Sequence, residues 1–287
     1  MKLAVSIERV GVIGGGLMGS GIAEVCARSG SDVVVHEIDE ALAEGAMGRI
    51  EKSLARAVER GKLDDGGRSA ILSRIRVSTD LAEQADRELV IEAATENEQL
   101  KLEIFSNLDS VVADSDAILA SNTSSIPITR LASATSRPDH VIGLHFFNPV
   151  PVMALVELVT TVMSAPDVEK RAQDYVEGLA KTVVRAKDRA GFVVNYLLIP
   201  YLLSAIRMVE NGVATREDID AAMRLGTNHP MGPLELTDFV GLDTTKFVAD
   251  VLFDEFKEPQ YASPPLLNRM VEAGLLGRKS GRGFYDY

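Results

Sequence analysis

An apolar run meets a glycine cluster at residues 10–21, which read VGVIGGGLMGSG. Gly14, Gly16 and Gly19 have the spacing G-x-G-x-x-G, and a helix-compatible run, IAEVCA, follows at residues 22–27. In a strand–turn–helix unit such glycines allow the tight turn, the approach of a pyrophosphate to the backbone and close packing of the helix on the strand. The free N–H groups at the helix N-terminus would face the phosphates.

A second strand is predicted at residues 32–36, DVVVH, and it is followed by Glu37, 18 residues after Gly19. Folds that bind dinucleotides place an acid at about this position, on the ribose hydroxyls. A glycine-rich turn in an unrelated α/β protein is the alternative, but the strand, the helix and the acid together favour a dinucleotide. Glu37 would repel a 2′-phosphate and so favours NAD. His36 could offset part of that repulsion, which leaves NADP open.

The length, composition and net charge of the chain limit the class of protein it can be. Its 287 residues suggest two domains, and 46% hydrophobic content supports a sizeable core. The chain has no run of 18 apolar residues, so no membrane span is expected. Residues 1–8 carry charge too early for a secretory signal, and the single cysteine, Cys26, cannot form an internal disulfide. We therefore expect a cytoplasmic protein, and a net charge of −12 argues against nucleic-acid binding.

Strand and helix patterns alternate as far as residue 184 and then give way to helical patterns alone. Alternation of this kind is typical of a parallel sheet covered by helices. We predict a Rossmann-type, mostly parallel α/β domain over residues 1–187. An all-helical domain should follow over residues 188–287.

A long helix is predicted over residues 41–60, and its basic residues share one face: Arg49, Lys52, Arg56 and Arg60. An apolar stripe opposes them. On most proteins such a face is merely solvated. On a protein this acidic it is also a candidate handle for an anionic substrate.

Polar residues SNTSS follow a buried-type strand at residues 121–125. Ligands of open parallel sheets gather at the carboxyl ends of the strands, so this cluster is a candidate binding element. The alternative is a helix N-cap: one serine would cap the next helix and leave the other available.

His145 and Glu157 each interrupt an apolar strand pattern. A carboxylate bonded to an imidazole fixes its tautomer and stabilises its protonated form, which suits proton transfer near neutral pH. A buried structural pair is the alternative. No metal is expected, because the histidines lack ligand spacing and one cysteine is too few. A Ser-His-Glu hydrolase would lack the G-x-S-x-G elbow and leave the glycine cluster without a use.

Five motifs make the whole chain resemble the L-3-hydroxyacyl-CoA dehydrogenases, and in size the bacterial 3-hydroxybutyryl-CoA dehydrogenases. They are GGGLMG at 14–19, SNTSS at 121–125, GLHFFNP at 143–149, GFVVN at 191–195 and GRKSGRGFY at 277–285. The histidine motif is highly specific, and all five occur in order.

The resemblance implies the role of each site residue. His145 would be the general base in oxidation, with Glu157 orienting it. Ser124 and Asn195 would hydrogen-bond the substrate oxygen. The residues that would bind or line the cofactor site are Gly14, Gly16, Leu17, Met18, Gly19, Glu37, Ala93, Glu96, Lys101, Asn148 and Arg269.

Coenzyme A contacts are implied on the long helix. Ser53 matches a family serine, and a family lysine falls at Arg60, with Lys62 close by. The resemblance gives the basic face a chemical purpose, because coenzyme A carries several phosphate charges. It also implies a homodimer formed through the helical domain, and a site between the two domains.

The predicted reaction is reversible NAD-dependent oxidation of an L-3-hydroxyacyl-CoA to the 3-ketoacyl-CoA. Two alternatives stay open at this point. A sugar-acid dehydrogenase of the same fold would share the histidine motif without needing the basic face. A non-catalytic NAD-binding protein would not need Ser124, His145, Glu157 and Asn195 together.

Overall fold

The computed structural model describes residues 7–287. The chain divides between Arg189 and Ala190 into two compact units, each with its own apolar core. The predicted boundary at 187/188 lies just before this point. Most of the N-terminal stretch on which we expected no secretory signal, residues 1–6, lies outside the described residues.

The first unit alternates strands and helices, as its sequence predicts. The elements are β1 (Arg9–Ile13), α1 (Leu17–Arg28), β2 (Asp32–His36), α2 (Glu40–Glu59), α3 (Asp65–Leu72), β3 (Ile75–Ser78), β4 (Leu89–Glu92), α4 (Glu98–Val111), β5 (Ile118–Ser121), α5 (Ile128–Ala132), β6 (Val141–Phe146), β7 (Leu155–Thr160), α6 (Pro166–Gly178) and β8 (Thr182–Lys187).

Within residues 7–287 these strands form one eight-stranded sheet in the order β3-β2-β1-β4-β5-β6-β7-β8. The first six strands are parallel, β7 pairs antiparallel with β6, and β8 runs parallel to β7. The strand order reverses between β1 and β4, where open sheets of this kind bind ligands at the carboxyl ends. The predicted mostly parallel Rossmann-type sheet is confirmed.

The second unit is helical, as predicted. Its helices are α7 (Val194–Glu210), α8 (Arg216–Thr227), α9 (Pro233–Val240), α10 (Leu242–Phe256) and α11 (Pro265–Glu272). The tail that follows is fastened to α9, because the Asp238 carboxylate accepts the backbone N–H groups of Phe284 and Tyr285, each at 2.8 Å. Among the described residues, no helix combines the length and apolar character needed to cross a membrane.

Residues 64–67, DDGG, are of types that favour turns, yet α3 already begins at Asp65. The Asp64 carboxylate caps the helix by accepting the Gly67 N–H at 2.6 Å. This cap offsets the low helix propensity of the two glycines.

Candidate active site

The three glycines of the G-x-G-x-x-G motif, two in the loop after β1 and one in α1, stand in three different environments. Gly14 has φ +88°, a conformation that favours glycine. A Cβ at Gly19 would overlap the carbonyl oxygen of Gly14, so only glycine lets α1 lie this close to the turn. A Cβ at Gly16 would meet no described atom within 4 Å. Gly14 therefore forms the turn, Gly19 permits the close packing of α1, and Gly16 leaves open space.

The opening at Gly16 fits a dinucleotide. Gly16 is the N-cap of α1 and lacks a side-chain cap, and the next residue, Leu17, is 67% exposed. The first N–H groups of a helix have no intrahelical partner, so they are available to an anion. Met18 is half-buried beside them. Glu37 supplies an acid at the end of β2, as a ribose contact requires.

The backbone of Gly15 is held by three residues distant from it or on the next helix. Its N–H donates to Glu37 Oε1 at 2.6 Å. Its carbonyl accepts Nε and Nη2 of Arg49, at 3.1 and 2.8 Å, and the Ser20 hydroxyl at 2.6 Å. Arg49 was predicted to belong to the substrate-facing basic face of α2. In the structure its guanidinium instead binds the glycine loop.

His36 lies beside Glu37 and is half-buried. Burial lowers the pKa of His36, and the attraction of Glu37 offsets this only in part. The lowered pKa favours the neutral imidazole, which would not attract a 2′-phosphate. This favours NAD over its 2′-phosphorylated form.

Glu92, at the end of β4, forms a buried ion pair with α4 and a hydrogen bond with the end of β5. The carboxylate of Glu92 is fully buried, and it accepts Lys101 Nζ at 2.5 Å and the Ser121 hydroxyl at 2.6 Å. Lys101 is 1% exposed. The predicted cofactor residue Lys101 is thus bound to the sheet through Glu92. Ala93, also a predicted cofactor residue, follows Glu92 directly and is half-buried.

The turn that carries Ser124 is organised by Glu96. One carboxylate oxygen accepts the Thr123 hydroxyl, the Ser124 N–H at 3.1 Å and the Ser125 hydroxyl at 2.8 Å. The Ser124 hydroxyl makes no hydrogen bond to any described residue and its side chain is half-buried. Ser124 is the serine of the pair that is available to a ligand.

The alternative of a serine N-cap for the next helix is wrong. The first N–H groups of α5, from Ile128 and Thr129, donate to the carboxylate of Asp188 at 2.8 and 2.7 Å. Thr123 closes the preceding turn, since its hydroxyl accepts the Ile126 N–H at 2.9 Å.

His145 and Glu157 face each other across β6 and β7. The antiparallel register places their Cα atoms opposite one another. His145 Nδ1 lies 2.7 Å from Glu157 Oε2. His145 is 6% exposed and Glu157 is fully buried. Because strand residues alternate between faces, a register shift of one residue would separate the pair.

The same edge of the sheet carries Ser124, His145 and the glycine loop. Asn122 joins the two strand ends, because its Oδ1 accepts the Phe146 N–H at 2.9 Å. Asn148 is exposed on the loop after β6. That loop reaches α1, since a Cβ at Gly21 would come 2.9 Å from Val150 Cβ.

The remaining predicted residues lie on three helices. Ser53 is half-buried on α2, and Arg60 is exposed directly after it. Ile50 and Leu54 bury the opposite side of that helix. In the helical unit, Asn195 is half-buried in the first turn of α7 and Arg269 is exposed in the last turn of α11.

Sequence reasoning missed three roles that hold the site together: Arg49 as a loop contact, Glu92 as the centre of a buried cluster, and Asn122 as a link between strand ends. Glu92 had a visible signal, because it is a lone acid in an apolar strand, as Glu157 is. Asn122 and Arg49 had none, since each binds a backbone group distant in the sequence.

Comparison with known proteins gives the same family for both units. Residues 9–189 match the 3-hydroxyacyl-CoA dehydrogenase NAD binding domain, and residues 191–287 match the C-terminal domain of that enzyme family. The 3-hydroxybutyryl-CoA dehydrogenase of Mycobacterium tuberculosis is 59% identical over 283 residues, covering 98% of this chain and 99% of that protein.

Solved structures agree. The crystal structure of M. tuberculosis FadB2 matches with a TM-score of 0.97 and 59% identity, over 98% of this chain and 99% of that one. (S)-3-hydroxybutyryl-CoA dehydrogenase PaaH1 from Ralstonia eutropha matches with a TM-score of 0.94 and 44% identity, over the same shares. The resemblance carried by the five motifs is confirmed, and so is NAD as the cofactor. The chain belongs to the 3-hydroxyacyl-CoA dehydrogenase family of NAD-dependent oxidoreductases.

Proposed function

We propose that this enzyme catalyses the reversible oxidation of a short-chain L-3-hydroxyacyl-CoA, 3-hydroxybutyryl-CoA above all, to the 3-ketoacyl-CoA. The observation that carries the proposal is the buried His145–Glu157 hydrogen bond of 2.7 Å, at the sheet edge that also bears the glycine loop. The relative with 59% identity, named 3-hydroxybutyryl-CoA dehydrogenase, supports the short acyl chain.

The proton chemistry belongs to His145. Bound NAD supplies the acceptor for the hydride that leaves the substrate carbon. Glu157 accepts the Nδ1 hydrogen of His145, which directs the basic Nε2 to the substrate hydroxyl. His145 takes the hydroxyl proton in oxidation and returns it in reduction, while Glu157 stabilises the imidazolium.

Substrate orientation is assigned to Ser124 and Asn195, whose side chains would donate to the substrate oxygen at C3. The availability of the Ser124 hydroxyl supports its part in this assignment. Glu96 maintains that geometry by holding three groups of the serine turn. Asn148, exposed on the loop after β6, would shape the pocket around the nicotinamide.

Cofactor contacts are assigned to the loop of Gly14, Gly16, Leu17, Met18 and Gly19. Glu37 would bind the ribose hydroxyls, and Ala93 and Glu96 would line the site near the end of β4. Lys101 acts indirectly in this proposal, because its ammonium is buried against Glu92. Arg269 on α11 would supply a further positive charge.

Coenzyme A contacts are assigned to Ser53 and Arg60 on the basic side of α2. The exposure of Arg60 and the burial of Ile50 and Leu54 on the other side support this orientation. Phosphates of the coenzyme would then meet positive charge on an otherwise acidic protein.

A kinetic matrix tests the function. NADH and NADPH are each assayed with 3-ketoacyl-CoAs of 4 to 16 carbons, and gulonate-type sugar acids with NAD are run in parallel. We expect the highest kcat/KM for acetoacetyl-CoA with NADH. Turnover of the sugar acid alone, or retained NADH binding without any turnover, would contradict the proposal.

We also propose a homodimer formed by the helical unit. That unit exposes Leu225 by 88%, Leu197 by 66% and Val213 by 65%. Charged substitutions at Leu197 and Leu225 should give monomers in sedimentation experiments. Val162→Glu in the first unit is the control, because Val162 is 96% exposed and should leave the assembly unchanged. A wild-type monomer would refute the proposal.

A cytoplasmic location is proposed on the cysteine content. Cys26 is the single cysteine of the sequence and is a free, buried cysteine. Proteins of reducing compartments carry cysteine in this form.

A further inference from the structure

We propose that Arg49 is a positioning residue for the cofactor loop, and that its guanidinium holds the Gly15 carbonyl so that the neighbouring Gly16 stays open to the dinucleotide. This inference rests on the proposed function. It assigns Arg49 to the cofactor and removes it from the basic face that would contact coenzyme A.

The geometry shows that loop and helix are shaped for this contact. A Cβ at Gly15 would overlap Ala46 Cβ, so the loop lies directly against α2 one turn before Arg49. A Cβ at Gly45 would lie 3.5 Å from both Nη atoms of Arg49. The guanidinium therefore folds back along its own helix, over the glycine one turn earlier, to reach the loop.

The hydrogen bonds hold the two successive peptide groups on either side of Gly15. Glu37 accepts the N–H while Arg49 donates twice to the carbonyl. Charged partners give stronger hydrogen bonds than neutral ones, and the planar guanidinium presents two donors in a fixed geometry. With the Gly15 carbonyl bound in this way, the neighbouring Gly16 is exposed, and a Cβ there would have no described atom within 4 Å.

Arg56 offers a matched comparison, since it lies two turns further along the same helix face. No hydrogen bond or ion pair joins its side chain to any residue between 7 and 287. Removal of either arginine changes the charge of α2 equally, but only Arg49 touches the loop.

The test is a fluorescence titration of NADH onto the ligand-free protein for Arg49→Ala, Arg49→Lys and Arg56→Ala. We expect Arg49→Ala to raise the NADH Kd about tenfold, as loss of a charged hydrogen bond would. Arg49→Lys should fall between this and wild type, because lysine keeps the charge but not the fork. Arg56→Ala should leave the NADH Kd within about twofold, which is under 0.5 kcal/mol.

Three further measurements exclude a merely structural role. The unfolding midpoint and the KM for acetoacetyl-CoA should stay near wild type in Arg49→Ala, while amide exchange across residues 14–21 should accelerate. An unchanged NADH Kd in Arg49→Ala, an equal loss in Arg56→Ala, or wild-type affinity in Arg49→Lys would each overturn the proposal. NADH binding is measured without acyl-CoA, so the result stands apart from the failure of the proposed substrate.

Discussion

The glycine loop and the His145–Glu157 pair lie at the same edge of one sheet, yet they are built in opposite ways. The loop presents its backbone, with Gly16 exposed and with the Gly15 N–H and carbonyl held by Glu37 after β2, Ser20 on α1 and Arg49 on α2. The pair is a side-chain device, buried and set by the register of two antiparallel strands.

The difference follows from what each must do. A cofactor needs room and unpaired N–H groups, so its binding loop must leave space that side chains would fill. A proton carrier needs one fixed orientation, and burial between neighbouring strands provides it. Substitutions in one region should therefore spare the function of the other.

The largest difference between the two regions is expected from His145→Ala. Loss of a general base costs about 10²–10⁴-fold in rate, so turnover of acetoacetyl-CoA with NADH should fall by that factor. Steady-state assays check it. Turnover within a few-fold of wild type would remove His145 from the mechanism.

Glu157→Gln should give a related but smaller defect. A hydrogen bond to a charged group is worth about 1.5–3 kcal/mol, so kcat should fall roughly tenfold to a hundredfold. The amide keeps the shape of the buried side chain but cannot stabilise the imidazolium. A purely structural pair would instead lower the unfolding midpoint and leave kcat near the wild-type value.

Two glycine substitutions, Gly16→Ala and Gly19→Ala, test the glycine loop, and their effects should differ. Gly16→Ala has room in the protein and a permitted φ of −61°, so it should fold normally. Its methyl group would fill the space left for the cofactor, and overpacking of about 1–3 kcal/mol predicts NADH binding weakened roughly fivefold to 150-fold.

Gly19→Ala should act on stability instead. Alanine favours a helix over glycine by about 1 kcal/mol, but the overlap with the Gly14 carbonyl should outweigh this gain. Urea unfolding of the two variants gives the comparison. Equal stability of both would contradict the assigned roles.

The smallest effect concerns Cys26, buried on α1. Burial raises its pKa to about 12, so almost no thiolate exists at pH 8 in the folded protein. A disulfide reagent should react slowly with native enzyme and fast after unfolding. Gly19→Ala should accelerate the reaction and Gly16→Ala should not. Rapid labelling of the native wild type would show that α1 is less firmly packed than described.

Much of this arrangement was predictable from the sequence because the signals are local. Alternating strands and helices, the glycine spacing and Glu37 predicted the sheet and its loop. His145 and Glu157 were visible as polar interruptions of apolar strands, although their pairing depends on a register that only the structure gives. Contacts such as Arg49 to the Gly15 carbonyl, and Asn122 to Phe146, join a side chain to a distant backbone group. Such contacts leave no periodic pattern in the sequence, so only the structure shows them.

The most direct test of the account is a fluorescence titration of NADH onto His145→Ala alongside its turnover. We predict an NADH Kd within about twofold of wild type, under 0.5 kcal/mol, while turnover is lost, because the loop and the proton carrier are separate devices. A loss of NADH affinity in proportion to the loss of turnover would contradict that separation.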